Sequence, residues 1–321
     1  MSNIIIYVSS RNNYDMLSGE VLKNINTDGF EFINVDDNSS QEEIQKGEKI
    51  CRDNDIAFLK NKSRGVQMAT QTLIDFIKEN RPNCKWVFCF QHDCYPISEN
   101  FFSRISKLID SGQLDDFGTV GFNRIDMGKH TPTAYDEFVN GKSPLGCIGL
   151  SHLSILDTTK RWLMPSRNTW LDDNNDWKNP FSVEITAWTA IGINVNLWIK
   201  HIEPTDEYHF HLWAPDISMQ FLYNNFHNVV LPKLYLMNKQ ELKENYGIDA
   251  NSAHGSKKGN EYHFGHYKPS HDTWKSRWGW EYDNPSTIPG IIQSYGGTLI
   301  EEFINHNTKS GPLKTFDLGE Y

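Results

Sequence analysis

The first 125 residues alternate between short apolar runs and segments whose apolar residues recur at helical spacing. The apolar runs cover residues 4–8, 31–35, 56–59, 86–90 and 119–122, and they predict five strands. Helical patterns at residues 40–52, 66–77 and 100–109 separate these runs. Strands that alternate with helices favour right-handed crossovers, so we expect an α/β fold with a mostly parallel central sheet flanked by helices.

Local signals predict the limits of several helices. Ser40 and Glu43 have the spacing of a capping box, which predicts that a helix begins there. Pro82 disfavours helix at the residue before it, so the helix that begins near residue 66 should end at Arg81. Later in the chain, residues 187–198 and 216–225 have helical patterns, and residues 229–231 have the composition of a strand.

Polar residues directly follow the predicted strands. In parallel sheets of this kind, ligands bind beyond the carboxyl ends of the strands, so these residues are candidates for a binding site. They are Ser9, Ser10 and Arg11 after the first run, Asp36 and Asp37 after the second, residues 60–64 after the third, and residues 91–94 after the fourth.

Charge and composition narrow the class of protein. The chain has 41 acidic and 31 basic residues, a formal net charge of −10, which disfavours binding to nucleic acids. Its five cysteines form no C-x-x-C pair, which favours reduced thiols in a cytoplasmic protein. No apolar run approaches the roughly 18 residues of an integral membrane segment, and the N-terminal segment lacks the pattern of a signal peptide. Aromatic residues make up 13% of the chain, and flat sugar faces are one surface that they bind.

Acidic residues follow the second and fourth runs. At Asp36 and Asp37, a carboxylate can accept hydrogen bonds from a nucleobase N–H or a ribose hydroxyl, although the same residues suit a simple turn. The carboxylate of Asp93 is a hard oxygen ligand of the kind that Mg²⁺ and Mn²⁺ prefer. A turn or helix-capping aspartate is the alternative for Asp93.

These segments resemble the nucleotide-sugar-binding half of GT-A glycosyltransferases, especially the large inverting family 2 type. The resemblance rests on I-I-I-Y-V-S-S-R at residues 4–11, F-I-N-V-D-D-N-S-S at 32–40 and V-F-C-F-Q-H-D at 87–93. In that family the second segment contacts the nucleobase, and the third ends in a D-x-D motif that binds a metal and the sugar diphosphate. Here Gln91 stands in place of the first acid of that motif.

The resemblance implies a GT-A fold that transfers a sugar from a UDP- or GDP-linked donor to a hydroxyl of a glycan or other acceptor. It implies a divalent metal, Mn²⁺ or Mg²⁺, and a donor site formed by Ser9, Arg11, Asp36, Asp37, Arg64, Gln91, Asp93 and Lys257. It also divides the chain into a nucleotide-sugar-binding half (residues 1–125), an acceptor-binding half of the same domain (126–250) and a C-terminal extension (251–321).

Asp216 is the candidate catalytic residue. It lies at the beginning of a helical pattern, directly after Pro215, where an acid is also favoured for purely structural reasons. By resemblance, it is the general base that deprotonates the acceptor hydroxyl, with Glu184 as the alternative base. Indole rings stack on sugars, so Trp188 and Trp213 are, together with Glu184, the candidate acceptor-binding residues.

The C-terminal segment is rich in histidine. By resemblance, His254 completes the metal site with Asp93, and Lys257 neutralises phosphate. A zinc site built from His254, His263, His266 and His271 is the alternative, although their spacing is irregular. Two other functions therefore remain open beside a glycosyltransferase: a glycan-binding module on a degenerate GT-A fold, and a histidine-ligated metal hydrolase.

Overall fold

The computed structural model describes residues 2–127, 180–183, 185–186, 190–239, 268–279, 281–282 and 311–312 of the 321-residue chain. Ten strands within these ranges form one sheet. The strands are β1 (Ile4–Ser10), β2 (Glu31–Asp36), β3 (Ala57–Lys60), β4 (Trp86–Phe90), β5 (Cys94–Pro96), β6 (Phe117–Met127), β7 (Phe181–Val183), β8 (Ala190–Asn194), β9 (His227–Lys239) and β10 (Gly311–Pro312).

Helices connect many of these strands. They are α1 (Tyr14–Met16), α2 (Leu22–Asn24), α3 (Gln41–Asp53), α4 (Val66–Asn80), α5 (Phe101–Asp110), α6 (Val195–His201), α7 (Trp213–Tyr223) and α8 (Lys268–Trp278). A π-helical segment, Leu17–Val21, joins α1 to α2. The side chain of Ser40 accepts a hydrogen bond from the Glu43 N–H, so α3 begins at the predicted cap.

The strands follow the order β10-β7-β9-β6-β8-β4-β1-β2-β3, and β5 pairs with β9. β1 pairs in parallel with β2 and β4, β2 with β3, and β6 with β9. Because β8 runs antiparallel to both β4 and β6, the strands β1, β2, β3, β4, β6 and β9 all point the same way. The predicted α/β fold with a mostly parallel sheet is therefore confirmed.

The chain order reverses between β1 and β4. β2 and β3 add outward on one side of β1, and β4 then lies on its other side. At such a reversal the loops after the two neighbouring strands turn in opposite directions, which opens a crevice at their carboxyl ends. The loops after β1 and β4 are therefore the place where a sheet of this topology is expected to bind a ligand.

Alternate residues of β1 belong to two hydrophobic cores. Ile5 and Tyr7 face a core shared with α4, α6, α7 and α8. Ile4, Ile6 and Val8 face the opposite core, which α1, α3 and α5 cover. A strand that is buried on both faces needs a continuous apolar sequence, which explains why β1 has no polar alternation.

One stretch that the sequence predicts as helix forms a strand instead. Residues 190–194, predicted as part of a helix, form β8 at the centre of the sheet, and α6 begins only after it. A short apolar run fits a buried strand as well as a helix, and pairing with β4 and β6 decides between them. A Cβ at Gly192 would lie 2.4 Å from the ring of Phe88, so the strand packs closely against its neighbour. Asn194 then caps α6 by accepting a hydrogen bond from the Leu197 N–H.

The described cysteines agree with the expectation of reduced thiols. Cys51, Cys84, Cys89 and Cys94 are buried and free. Burial raises the pKa of the Cys51, Cys84 and Cys89 thiols to about 12, so these groups stay neutral at ordinary pH. In the described part of the chain, no helix has both the length and the apolar composition that crossing a bilayer requires.

Gly47 in α3 makes room for the ring of Tyr14, since a Cβ there would lie 2.4 Å from it. We expect Gly47→Ala to lower the free energy of unfolding by about 1–3 kcal/mol, the usual effect of overpacking a core. Equilibrium unfolding in urea measures this loss of stability, provided that the slope of the unfolding free energy against urea concentration (m) is unchanged. The control Gln45→Ala, on the exposed face of the same helix, should change stability much less. Equal stability of the two variants would contradict the packing described.

Candidate functional site

Asp37 joins the loops that follow β1, β2 and β3 through both its carboxylate and its backbone. Its Oδ1 accepts hydrogen bonds from the side-chain amide of Asn61 at 2.8 Å and from the backbone N–H of Gly65 at 2.7 Å. The backbone N–H of Asp37 donates to the Ser10 carbonyl at 2.8 Å, and Arg11 Nη1 donates to the Asp37 carbonyl at 2.9 Å. Three loops are therefore held together at the carboxyl edge of the sheet.

The two adjacent aspartates have different surroundings. Both oxygens of Asp36 are occupied, because Tyr14 Oη donates to Oδ1 at 2.6 Å and the Ser39 N–H donates to Oδ2 at 3.2 Å. Asp37 is 5% exposed, and its Oδ2 accepts no hydrogen bond from the described residues. Asp36 therefore holds the loop in place, and Asp37 has an oxygen available to a ligand.

Basic groups lie next to Asp37. Burial and the nearby Arg11 charge lower the pKa of Arg64, while Asp37 acts in the opposite direction. Burial also lowers the pKa of His209, and the charges of Arg64 and Arg11 lower it further. Arg64 makes no hydrogen bond or ion pair with other described residues. Because neighbouring cations repel each other, an anionic ligand would relieve an unfavourable arrangement here.

The pKa of Asp37 reflects the same surroundings. Burial raises it above its ordinary value. The hydrogen bonds from Asn61 and Gly65 oppose this rise, as do the positive charges of Arg11 and Arg64. The carboxylate is thus stabilised as an anion by the groups that also form the edge of the crevice.

The β1 and β4 ends meet at a buried serine–histidine contact. Ser10 Oγ lies 2.9 Å from His92 Nε2, and the preceding Ser9 is half-buried at the end of β1. Gln91 and Asp93 flank His92, and Gln91 Nε2 is buried with no hydrogen-bond partner among the described residues. Asp93 is buried as well. The Ser10–His92 contact therefore brings the end of β1 next to the residues that follow β4.

A divalent ion at this edge would need several hard oxygen ligands. Asp93 offers one carboxylate, but at Gln91 an uncharged amide stands in place of a second. Within the described ranges, no three His, Cys, Asp or Glu side chains come together as a metal-binding group. The described residues by themselves therefore do not fit a site for Mn²⁺ or Mg²⁺. His254, the other predicted ligand, lies outside them.

Four side-chain donors surround Asp216 at the beginning of α7. Gln67 Nε2, Gln220 Nε2 and Arg277 Nη1 donate to its Oδ2 at 2.9, 2.8 and 3.0 Å. Trp278 Nε1 donates to Oδ1 at 2.9 Å. The residue is 0% exposed, and burial raises its pKa, while Arg277 and the three neutral donors oppose the rise. In this conformation Asp216 is a fully hydrogen-bonded carboxylate.

The first turn of α4 connects Asp216 to the Asp37 edge. The Gly65 N–H, just before α4, bonds Asp37, and the Gln67 side chain, two residues later, bonds Asp216. A Cβ at Gly65, where φ is +100°, would lie 2.7 Å from the Tyr208 carbonyl. The segment that leads into α7 therefore packs directly on the loop after β3.

Other predicted residues lie elsewhere. Trp213 is 1% exposed, so its ring packs in the core and presents no face to an acceptor in this conformation. Glu184, Trp188, His254 and Lys257 lie outside the described residues. His211 and His271 approach each other, with 3.3 Å between their Nε2 atoms. His254, His263 and His266, which would share a zinc site with His271, are also outside the described ranges.

Several contacts at this site were not predicted from the sequence. Asn61 lies within residues 60–64, which the strand pattern predicts as a candidate region, whereas Gly65 follows that region directly. Nothing in the sequence marks Gln67, Arg277 or Trp278 as a partner of Asp216. They are 149, 61 and 62 residues away from it along the chain. Only the folded chain brings these side chains to the carboxylate.

No protein-family model matches this chain, and no curated protein matches its sequence. Among solved structures, the crystal structure of GalNAc-T7 with UDP, GalNAc and Mn²⁺ is similar, with a TM-score of 0.51 and 13% identity, over 98% of this chain and 56% of that one. The mannosyltransferase PcManGT from Pyrobaculum calidifontis, in complex with GDP-Man and Mn²⁺, has a TM-score of 0.45 and 11% identity. This similarity covers 74% of this chain and 56% of that one.

The comparison with GalNAc-T7 bears on the fold. The chain spans just over half the length of each of the two solved structures. The similarity to GalNAc-T7 extends over nearly the whole of this chain, and the sheet has the order and strand directions described above. The chain has the GT-A fold, as the sequence resemblance implies.

Proposed function

We propose that this chain transfers a sugar from a nucleoside-diphosphate sugar to an acceptor hydroxyl. The supporting observation is the group at the carboxyl edge of the sheet, where Asp37 Oδ2 has no hydrogen bond from the described residues and Arg11 and Arg64 lie nearby. A carboxylate matches the N–H donors of a uracil or guanine base, and guanidinium groups match phosphate oxygens. A nucleoside diphosphate carries both kinds of group, so a UDP- or GDP-linked sugar is the proposed donor.

In the proposed complex, the base lies against Asp37 while Asp36 keeps the loop in place. The phosphates face Arg11 and Arg64, and the first turn of α4 adds the partial positive charge of its N–H groups. Ser9, Gln91 and Asp93 complete the donor site from β1 and β4, with Lys257 as a further phosphate contact. The cations at this edge stabilise the diphosphate as it departs.

The proposal includes a divalent metal, Mn²⁺ or Mg²⁺, held by Asp93 and His254. The GalNAc-T7 and PcManGT structures both contain Mn²⁺. Since the described residues do not complete such a site, the steps proposed below involve only the chain's own side chains. Calorimetry of nucleotide binding in EDTA and in Mn²⁺ measures how much binding depends on the ion.

For the chemistry we assign general-base catalysis to Asp216. Its carboxylate takes the proton of the acceptor hydroxyl, whose oxygen forms a bond to the anomeric carbon. The bond from that carbon to the diphosphate breaks, and the diphosphate leaves with the electron pair. Attack from the face opposite the leaving group inverts the anomeric configuration. Glu184 is the alternative base, and Glu184 and Trp188 remain the proposed acceptor-binding residues; the buried ring of Trp213 would have to leave the core to join them.

A non-catalytic glycan-binding protein on the same fold is the second candidate. The observation that favours it is the full set of donors on Asp216, since a carboxylate held by four hydrogen bonds also suits a purely structural role. This candidate predicts glycan binding without release of nucleoside diphosphate from any donor.

Arg64→Met should weaken UDP or GDP binding by about 10- to 100-fold, because hydrogen bonds to charged groups contribute about 1.5–3 kcal/mol. Isothermal titration calorimetry measures the dissociation constant. The control Lys62→Met removes an exposed cation of the same loop, which pairs with Asp75 at 3.0 Å, and should leave the constant nearly unchanged. Equal effects of the two variants would argue against a phosphate contact at Arg64.

Asp216→Asn should lower release of nucleoside diphosphate from the donor by about 10²- to 10⁴-fold, the usual contribution of a general base. The donor dissociation constant should stay within about twofold, because Asp216 does not contact the donor's base or phosphates in the proposed complex. Asp53→Asn, at an exposed site on α3, is the control for the same chemical change. Near-normal release by Asp216→Asn would remove this residue as the base.

The rate of release should fall with decreasing pH through a pKa above the ordinary aspartate value of 3.8, because the base must be ionised and burial raises its pKa. Arg277 is the cation that faces Asp216 from α8; Tyr208 faces it from the segment before α7. Arg277→Met removes the positive charge and should raise the pKa of Asp216 further. The acidic limb of the pH–rate profile, where the rate falls with decreasing pH, should therefore move to higher pH. A limb that stays in place or moves down would contradict this assignment.

A further inference from the structure

The two oxygens of Asp216 are held unequally. Oδ2 accepts three hydrogen bonds, from Gln67, Gln220 and Arg277. Oδ1 accepts a hydrogen bond from one described side chain, the indole N–H of Trp278 at 2.9 Å. The buried Tyr208 hydroxyl also faces the carboxylate, but it makes no hydrogen bond with the described residues. Exchange of the Trp278 donor would therefore open Oδ1 to a new partner while Oδ2 stayed anchored.

The donors to Oδ2 are fixed by further contacts. Gln67 also donates to the Trp213 carbonyl at 3.0 Å and accepts from the Thr205 N–H at 3.0 Å. Gln220 accepts from the Glu203 N–H at 2.8 Å. Each of these amides is therefore bonded on both its nitrogen and its oxygen.

Arg277 anchors the same oxygen from α8. Its Nη1 donates to Asp216 Oδ2 at 3.0 Å, and its Nη2 donates to the Glu203 carbonyl at 2.9 Å. The Glu203 carboxylate lies 3.9 Å from Nη2, but this side chain is almost fully exposed, so the ion pair is weak. The guanidinium is held at two points and presents its charge to Asp216.

Trp278 is held differently. It is the last residue of α8, it is partly exposed, and Gly279 with φ of +77° follows it. Its ring packs against Tyr223, which is 54% exposed, at 4.9 Å between ring centroids. The ring of buried Trp274 also lies close, at 5.9 Å between centroids. The indole is thus partly exposed and belongs to a helix end, where the last turn opens most readily.

We propose that Oδ1 of Asp216 is the atom that takes the acceptor's proton, and that Trp278 is a positioning residue which occupies the place of the acceptor hydroxyl until an acceptor displaces it. This inference rests on the proposed glycosyltransferase function. Arg277, Gln67 and Gln220 keep the carboxylate oriented through Oδ2 while the exchange takes place.

The exchange keeps the carboxylate hydrogen-bonded throughout. The acceptor O–H donates to Oδ1 in place of the indole N–H, so no buried charge is left without a donor. The proton then moves to Oδ1 as the acceptor oxygen bonds to the anomeric carbon, and the diphosphate leaves with the electrons of the broken bond. Without an acceptor, Trp278 shields Oδ1 from water, which limits wasteful hydrolysis of the donor.

The test uses water as the acceptor, so no glycan acceptor needs to be known. The probes are UDP-glucose, UDP-GlcNAc and GDP-mannose, and the readout is release of UDP or GDP by the full chain. Trp278→Phe keeps a ring but removes the N–H. It should raise the release rate about tenfold at saturating donor, because water no longer has to displace a hydrogen bond to a charged group.

The matched control is Trp198→Phe. The Trp198 indole also donates a hydrogen bond, to Gln71 Oε1 at 2.8 Å, but it does so away from Asp216. Its release rate should equal that of the wild type. In the double variant Trp278→Phe with Asp216→Asn, the gain should disappear, because the gain requires the carboxylate.

Release by Trp278→Phe that equals or falls below the wild-type rate, with donor binding intact, would overturn the inference and leave the proposed function standing. If Trp278→Phe does not fold, Tyr223→Ala removes the exposed ring that supports the indole and should raise release as well; no rise would overturn the inference. Failure of the wild type to bind any nucleotide would instead reject the proposed function, and the inference with it.

Discussion

The hydrogen bonds to the Asp37 carboxylate organise the carboxyl edge of the sheet. Oδ1 binds the loop after β3 through Asn61 and Gly65, while the Asp37 backbone binds the loop after β1. A buried carboxylate is unfavourable unless it is well hydrogen-bonded, so these contacts are needed for the loops to meet. The same arrangement leaves Oδ2 without a bond from the described residues and holds Arg11 and Arg64 close to each other. The support of the loops and the proposed contact with the nucleobase therefore both involve one residue.

The second organising contact is Asp216, which joins α4, α7 and α8. A buried ion pair is a weak source of stability, because desolvation of both charges opposes their attraction. The contact does, however, specify one arrangement of α8, since Arg277 and Trp278 each need the carboxylate as acceptor. Gln67 connects this arrangement to the first turn of α4, next to the Asp37 edge. A change in the position of α8 is thus communicated directly to the candidate base.

Much of the first half could be predicted from the sequence, because its signals are local. The apolar runs of β1 to β4, the cap at Ser40 and the acids after β2 each depend on neighbouring residues. β8 could not be assigned in this way: a short apolar run becomes a strand only when β4 and β6 lie on either side of it. The donors on Asp216 could not be predicted either, since they come from α4 and α8. The likeness to GT-A enzymes singles out Asp216 as the candidate base, but it does not indicate the groups that surround this carboxylate.

The most direct test of the account is a crystal structure of this chain with UDP or GDP. The account predicts that the base lies within hydrogen-bond distance of Asp37 Oδ2 and that the phosphates contact Arg64 at the beginning of α4. A nucleotide bound elsewhere on the molecule, or no nucleotide at saturating concentration, would contradict the account.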